Sequence, residues 1–176
     1  MLKTPSKRRY MIVCGVLLFG YWSCVNPFAP RLEESLTRND LITNQLTPDE
    51  VFQNFSSAYL FRDSLLYANI LDSSFVFEFY DPNEAETGAF KSWGRDTELR
   101  TTGRLFRAID TSELTWLNII FRDQKNNGDE VVYRNFRLTL IGNEISATIQ
   151  GYGIFTFRKA VDGKWRIKRW VDESEL

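Results

Sequence analysis

Histidine is absent from all 176 residues, and one of the two cysteines, Cys14, lies in an apolar leader. Ser-His-Asp and Cys-His nucleophilic chemistry is thereby removed, as is any metal site built on histidine. Carboxylates and tyrosines are left. Asp63, Asp72, Glu78, Asp81, Asp123 and Asp172 are the acids whose positions could bring them to the wall or rim of a cavity. A buried one, its pKa raised by loss of water, could serve as a general base. Their neighbours give most of them other work: Asp63 begins a helix, Asp72 and Asp81 end elements, Asp123 precedes a turn, and Glu78 alternates with phenylalanines. No catalytic residue is assigned from the sequence, and no cofactor or metal is expected. "GYG" at 151–153 lies within a strand pattern and lacks the following helix of a phosphate loop.

Aromatic residues make up 15% of the chain. Tyr59, Tyr80, Trp93, Trp116, Tyr133, Tyr152, Trp165 and Trp170 could line an apolar pocket with a few polar tips, or fill the core of a curved sheet. Which of the two they do depends on the elements that carry them.

In "LTPDEVF" Thr47 can cap a helix, Pro48 suits its first position, and Asp49 and Glu50 favour its positive end. Val51, Phe52, Phe55, Ala58 and Tyr59 then recur at helical spacing to about Arg62, and Asp63 caps a second, short helix ending near Asp72. "SFVFEFY" alternates as a strand does and stops at Asp81-Pro82. A third helix is expected within "WGRDTELRTTGRLF", with Asp96 as its cap. From Ser112 onward four strands are expected, at about 113–123, 130–141, 144–158 and 164–172. Asn127-Gly128, Gly142-Asn143 and Asp162-Gly163 join them as hairpins, and Gly151 with Gly153 predicts a bulge or sharp bend in the third.

The fold class is therefore α+β, with three helices on one face of a strongly bent, mostly antiparallel sheet. This order resembles the NTF2-like, or SnoaL-like, superfamily of cone-shaped domains. The resemblance spans roughly residues 47–172 and rests on "AYLFRDSLLYANILDSSFVFEF" and the closing "DGKWRIKRWVDE". It implies a cone whose pocket would be lined by Tyr59, Trp93 and Trp170, and an exposed sheet face that serves as the interface of a homodimer. Catalytic relatives of this kind, cyclases and isomerases, would use carboxylate, tyrosine or histidine groups inside the cone.

Ahead of this domain, residues 1–23 carry Lys3, Lys7, Arg8 and Arg9, no acid, and an apolar run from Tyr10 to Trp22. As a helix the run reaches about 20 Å, short of the ~30 Å that a spanning helix must cross. The pattern is that of an export signal. "LLFGYWSC" at 17–24 resembles the lipobox of bacterial lipoproteins in its Ser23-Cys24 end, while Tyr21 and Trp22 depart from its usual aliphatic and small residues. The resemblance implies that Cys24 is lipidated with fatty acyl chains such as palmitate and becomes the first mature residue. Residues 24–46 then read as a tether and 47–176 as the domain. Val25 after the cysteine implies, by analogy with lipoprotein sorting, the outer membrane facing the periplasm rather than the inner membrane.

Without the leader the chain has 18 basic and 23 acidic residues, and its closest approach to a basic block, "KWRIKRW" at 164–170, alternates charge with Trp and Ile and reads first as a strand. Nucleic acid is not an expected partner. Two readings follow: a lipid-anchored, non-catalytic envelope protein binding a small hydrophobic ligand or a protein partner, or an envelope isomerase or dehydratase using a buried carboxylate.

Overall fold

The structure, a computed structural model, describes residues 37–84 and 88–175. Cys24 and the leader lie outside the described residues. A single 3-10 turn, Arg38–Leu41, is followed by α1 (Pro48–Phe61), α2 (Ser64–Ile70), β1 (Leu71–Asp81), β2 (Ala89–Gly94), α3 (Arg95–Ala108), β3 (Thr111–Gln124), β4 (Glu130–Ile141), β5 (Ser146–Lys159) and β6 (Trp165–Glu175). The strands form one curved sheet in the order β2-β1-β6-β5-β4-β3. Every neighbouring pair is antiparallel except β1 with β6.

Local chemistry sets the element ends. Thr47 accepts from the Glu50 amide at 3.2 Å, and Arg62 turns the chain out of α1 in the left-handed conformation (φ 51). Asp63 caps α2 by accepting from Leu65 and Leu66. Gly128 and Gly163 supply the positive φ (83 and 79) on which two of the hairpin turns rest. The third helix begins after Gly94 with no side-chain cap, so Asp96 stands in its first turn rather than at its cap.

From Thr37 on, the stretch that precedes α1 is described, and it is hydrogen-bonded to α1 and β6. Thr43 bonds Asn54, Ser57 donates to the Leu41 carbonyl, and buried Gln45 bridges to the Trp165 carbonyl. Of the bulge or sharp bend expected at the glycines of β5, the bulge is not there: pairing with β4 runs unbroken through Gly151 and Gly153. The bulge lies further on, where Thr156 and Phe157 face β6. What Gly153 supplies is room: a Cβ there would sit 2.6 Å from the Phe155 ring and 2.9 Å from Trp170 Nε1.

One hydrophobic core unites the helices and the sheet, and among the described residues its members lie between Ile42 and Trp170. Phe52 and Phe55 on α1 meet Trp116, Phe155, Phe157 and Trp170 on the sheet at ring-centre distances of 4.6–6.5 Å. Most of these contacts are edge-to-face, the arrangement aromatic quadrupoles favour.

Candidate functional site

The place where a cone-shaped domain would hold a ligand is the space between α1 and the inner face of the sheet. Phe55 and Tyr59 approach it from the helix, and Leu114, Trp116, Phe136, Leu138 and Trp170 from β3, β4 and β6. These side chains leave about 10 Å³, room for at most one water molecule. The space is closed by rings rather than by a lid. Trp116 adds a hydrogen bond from Nε1 to the Phe52 carbonyl at 2.8 Å, which pins it across the opening.

Of the three residues expected to line a pocket, Tyr59 and Trp170 meet at this small cavity. Trp93 does not line it. Its ring stacks on Phe77 at 4.6 Å, and Phe77 in turn meets Trp170 at 4.8 Å, so one aromatic layer separates Trp93 from the cavity. Burial drives the Tyr59 hydroxyl well above the ordinary tyrosine range, with Glu98 adding to the effect. Tyr59 is thereby held neutral, as a hydrogen-bonding group and not a base.

Glu98, absent from the acids singled out in the sequence, is the most deeply placed carboxyl group near this space. It is 4% exposed and sits on α3. Its Oε1 accepts from Tyr67 Oη at 2.6 Å and Thr102 Oγ1 at 2.9 Å, and its Oε2 accepts from Trp93 Nε1 at 2.7 Å. Three donors from α2, α3 and β2 thus converge on one side chain. A signal for it existed: Glu98, Thr102 and Phe106 share the spacing of a buried helix stripe.

None of the other candidate acids lines the small cavity. Asp63 caps α2 and pairs with Arg38. Asp72 accepts from the amide and hydroxyl of Ser74. Glu78 is gripped by the Arg169 guanidinium, which lowers its pKa. Asp81 takes Lys91, and Asp123 takes Lys125. Asp172 alone differs: burial raises its pKa against the opposing hydrogen bonds from Ser174.

A carboxyl group whose folded pKa exceeds its unfolded value binds its proton more tightly in the native state. Stability is therefore lost as pH rises through the interval between the two. Asp172→Asn is expected to raise the melting temperature at neutral pH and to leave it unchanged below the ordinary carboxylate pKa. Thermal unfolding of both proteins across acidic to neutral pH measures this. A pH-independent difference would show that the raised pKa is not its source.

Outside the cone, the edge strand β3 exposes Leu117, Ile119, Ile120 and Phe121, each 39–53% accessible. Register with β4 shifts twice within this run, between Trp116 and Ile119 and between Ile119 and Phe121. Such irregularities discourage open-ended pairing along a free edge. Phe121 packs on Tyr133 of β4 at 5.2 Å, extending the apolar area onto the sheet face.

No family model matches the sequence, and no curated protein matches it. Solved structures do. A candidate scytalone dehydratase from Novosphingobium aromaticivorans superposes with a TM-score of 0.58 at 18% identity, covering 73% of this chain and 81% of that one. A candidate dehydratase of the NTF2-like family from Streptomyces avermitilis gives 0.52 at 14% identity, covering 71% and 96%. An NTF2-like protein of unknown function from Shewanella baltica gives 0.50 at 12%, covering 73% and 90%. At these identities the likeness establishes the fold, which is NTF2-like.

Proposed function

We propose that this chain is a lipid-anchored protein of the cell envelope whose NTF2-like domain is non-catalytic and acts by binding protein, first of all a second copy of itself. The observation that supports this reading is the filled cone. Five aromatic rings and two leucines leave about 10 Å³ where a ligand or substrate would have to enter. A run of accessible apolar side chains lies instead on β3, at Leu117, Ile119, Ile120 and Phe121. Contiguous exposed apolar residues of this kind mark interaction sites. Of the two partners the sequence suggested, a small hydrophobic ligand and a protein, the geometry favours the protein.

Anchoring is proposed through acylation of Cys24, with the outer membrane as the site and the periplasm as the compartment. Several acyl chains, at about 0.8 kcal/mol per buried CH2, would hold the chain stably at the bilayer. Cys24→Ser should move the protein from the membrane fraction to the soluble fraction and abolish incorporation of labelled palmitate. Membrane retention without labelling would identify the leader as an uncleaved helix instead.

The pairing is tested by Ile120→Lys with Phe121→Lys. Both side chains are exposed, so the fold should be retained while the dimer expected for the parent protein in sedimentation velocity dissociates. An unchanged sedimentation coefficient would remove β3 from the interface.

A second reading, an enzyme of the dehydratase or isomerase type, draws on Asp172, the one candidate acid whose burial raises its pKa. Both of its oxygens are occupied by Ser174, at 3.2 Å from the amide and 3.0 Å from the hydroxyl. Dehydratase activity by this route would require Asp172→Asn to abolish turnover without lowering stability.

A further inference from the structure

We propose that the end of the domain formed by the β5–β6 hairpin is a docking surface for anionic lipid headgroups. Residues 158–169 contain six basic side chains and one acid, Asp162. The remainder of the chain from Thr37 to Leu176 contains eleven basic and twenty acidic residues. The β5–β6 hairpin is thus a basic stretch in an otherwise acidic domain. β6 starts at that hairpin with basic residues and carries Asp172, Glu173 and Glu175 in its last part, so the charge changes sign along the strand.

Internal ion pairs hold part of this charge in place. Four of the six are paired: buried Asp129 receives Arg158 at 3.3 Å and Lys168 at 3.1 Å, Asp162 receives Arg166 at 2.6 Å, and Glu78 receives Arg169. Burial pushes the Asp129 carboxyl up, but Lys168 and Arg158 outweigh it and keep the group below its ordinary range, so this bridge persists at neutral pH. Lys159 and Lys164 make no ion pair among the described residues, and both are exposed. Between them, in the turn that joins the two strands, Val161 is fully exposed. Beside the turn, a groove of about 540 Å³ runs between the two hairpins and is lined by Asn127, Arg158, Lys159 and Trp165 among others.

The occupant follows from the combination. Ammonium groups alone would suit any polyanion. An apolar side chain projecting from among them suits a lipid surface, which presents negative charge above a hydrocarbon layer. The surface does not depend on the acyl anchor proposed above, since it lies wholly within the domain.

The experiment is co-sedimentation of the unacylated chain from residue 25, which keeps every described member of the core, with vesicles of equal parts phosphatidylglycerol and phosphatidylcholine. Binding is expected to these vesicles, to weaken with added salt, and to be lost on pure phosphatidylcholine. Each basic side chain near an anionic surface contributes roughly fivefold, so Lys159→Ala with Lys164→Ala should weaken binding about 25-fold. Val161→Ser should weaken vesicle binding but leave any binding to soluble inorganic polyphosphate unchanged. The proposal is overturned by no binding, by equal binding to neutral vesicles, or by a lysine double variant that binds as the parent does. Vesicle binding that ignores Val161→Ser and is matched by polyphosphate would also overturn it, in favour of a soluble polyanion.

Discussion

Replacing Glu98 with alanine is expected to cost on the order of 4 kcal/mol of stability, because three buried donors lose their acceptor at once. Tyr67 Oη, Trp93 Nε1 and Thr102 Oγ1 all point at this side chain, from three different elements. The isosteric Glu98→Gln separates the roles of the two oxygens. If its amide oxygen takes the Oε1 position, Tyr67 and Thr102 keep an acceptor, while Trp93 Nε1 faces an amide N–H. Its cost should be smaller, and Trp93→Phe should relieve part of it. Urea unfolding of the two single variants and the double variant gives the coupling directly. Additive costs would mean that the Trp93 bond contributes nothing.

Phe155→Ala is the second large effect, about 4 kcal/mol by the range measured for buried phenylalanines. Phe155 is fully buried and touches Phe52, Phe55, Trp116, Phe157 and Trp170. It stands at the meeting point of the rings that fill the cone. Its removal should leave an apolar void next to the small cavity, and dry voids of this kind take up benzene. The variant is therefore expected to be stabilised by benzene while the parent protein is not. Thermal shifts with and without benzene measure this. A parent protein stabilised as strongly as the variant would show that the cone is already open.

Much of this architecture was legible in the sequence, where short-range rules apply. The Thr47-Pro48 start of α1, the Asp63 cap and the two glycine turns at 128 and 163 each depend on residues a few positions apart. β2 was missed because "AFKSWG" is a six-residue edge strand with exposed Phe90 and a lysine at its centre. Its identity comes from pairing with β1 across a turn, and nothing within the six residues requires it. Parallel pairing of β1 with β6 was likewise out of reach, since about ninety residues separate Phe77 from Trp170. Glu98 was passed over for a related reason. An acid on a helix reads as solvent-facing until its donors are known, and Tyr67 lies 31 residues away. Tyr59 and Trp170 could be placed at the cone from the fold's likeness alone. Whether they line a space or fill it depends on ring packing, and no sequence period encodes that.

The most direct test of the central claim is native mass spectrometry of the chain from residue 25 after incubation with envelope extract. A filled cone and a β3 interface predict a dimer whose mass is that of two bare chains. A monomer carrying a discrete adduct of small-molecule size would contradict both parts of the account, because the cone would then open to a ligand and the outer strand would be left without its partner.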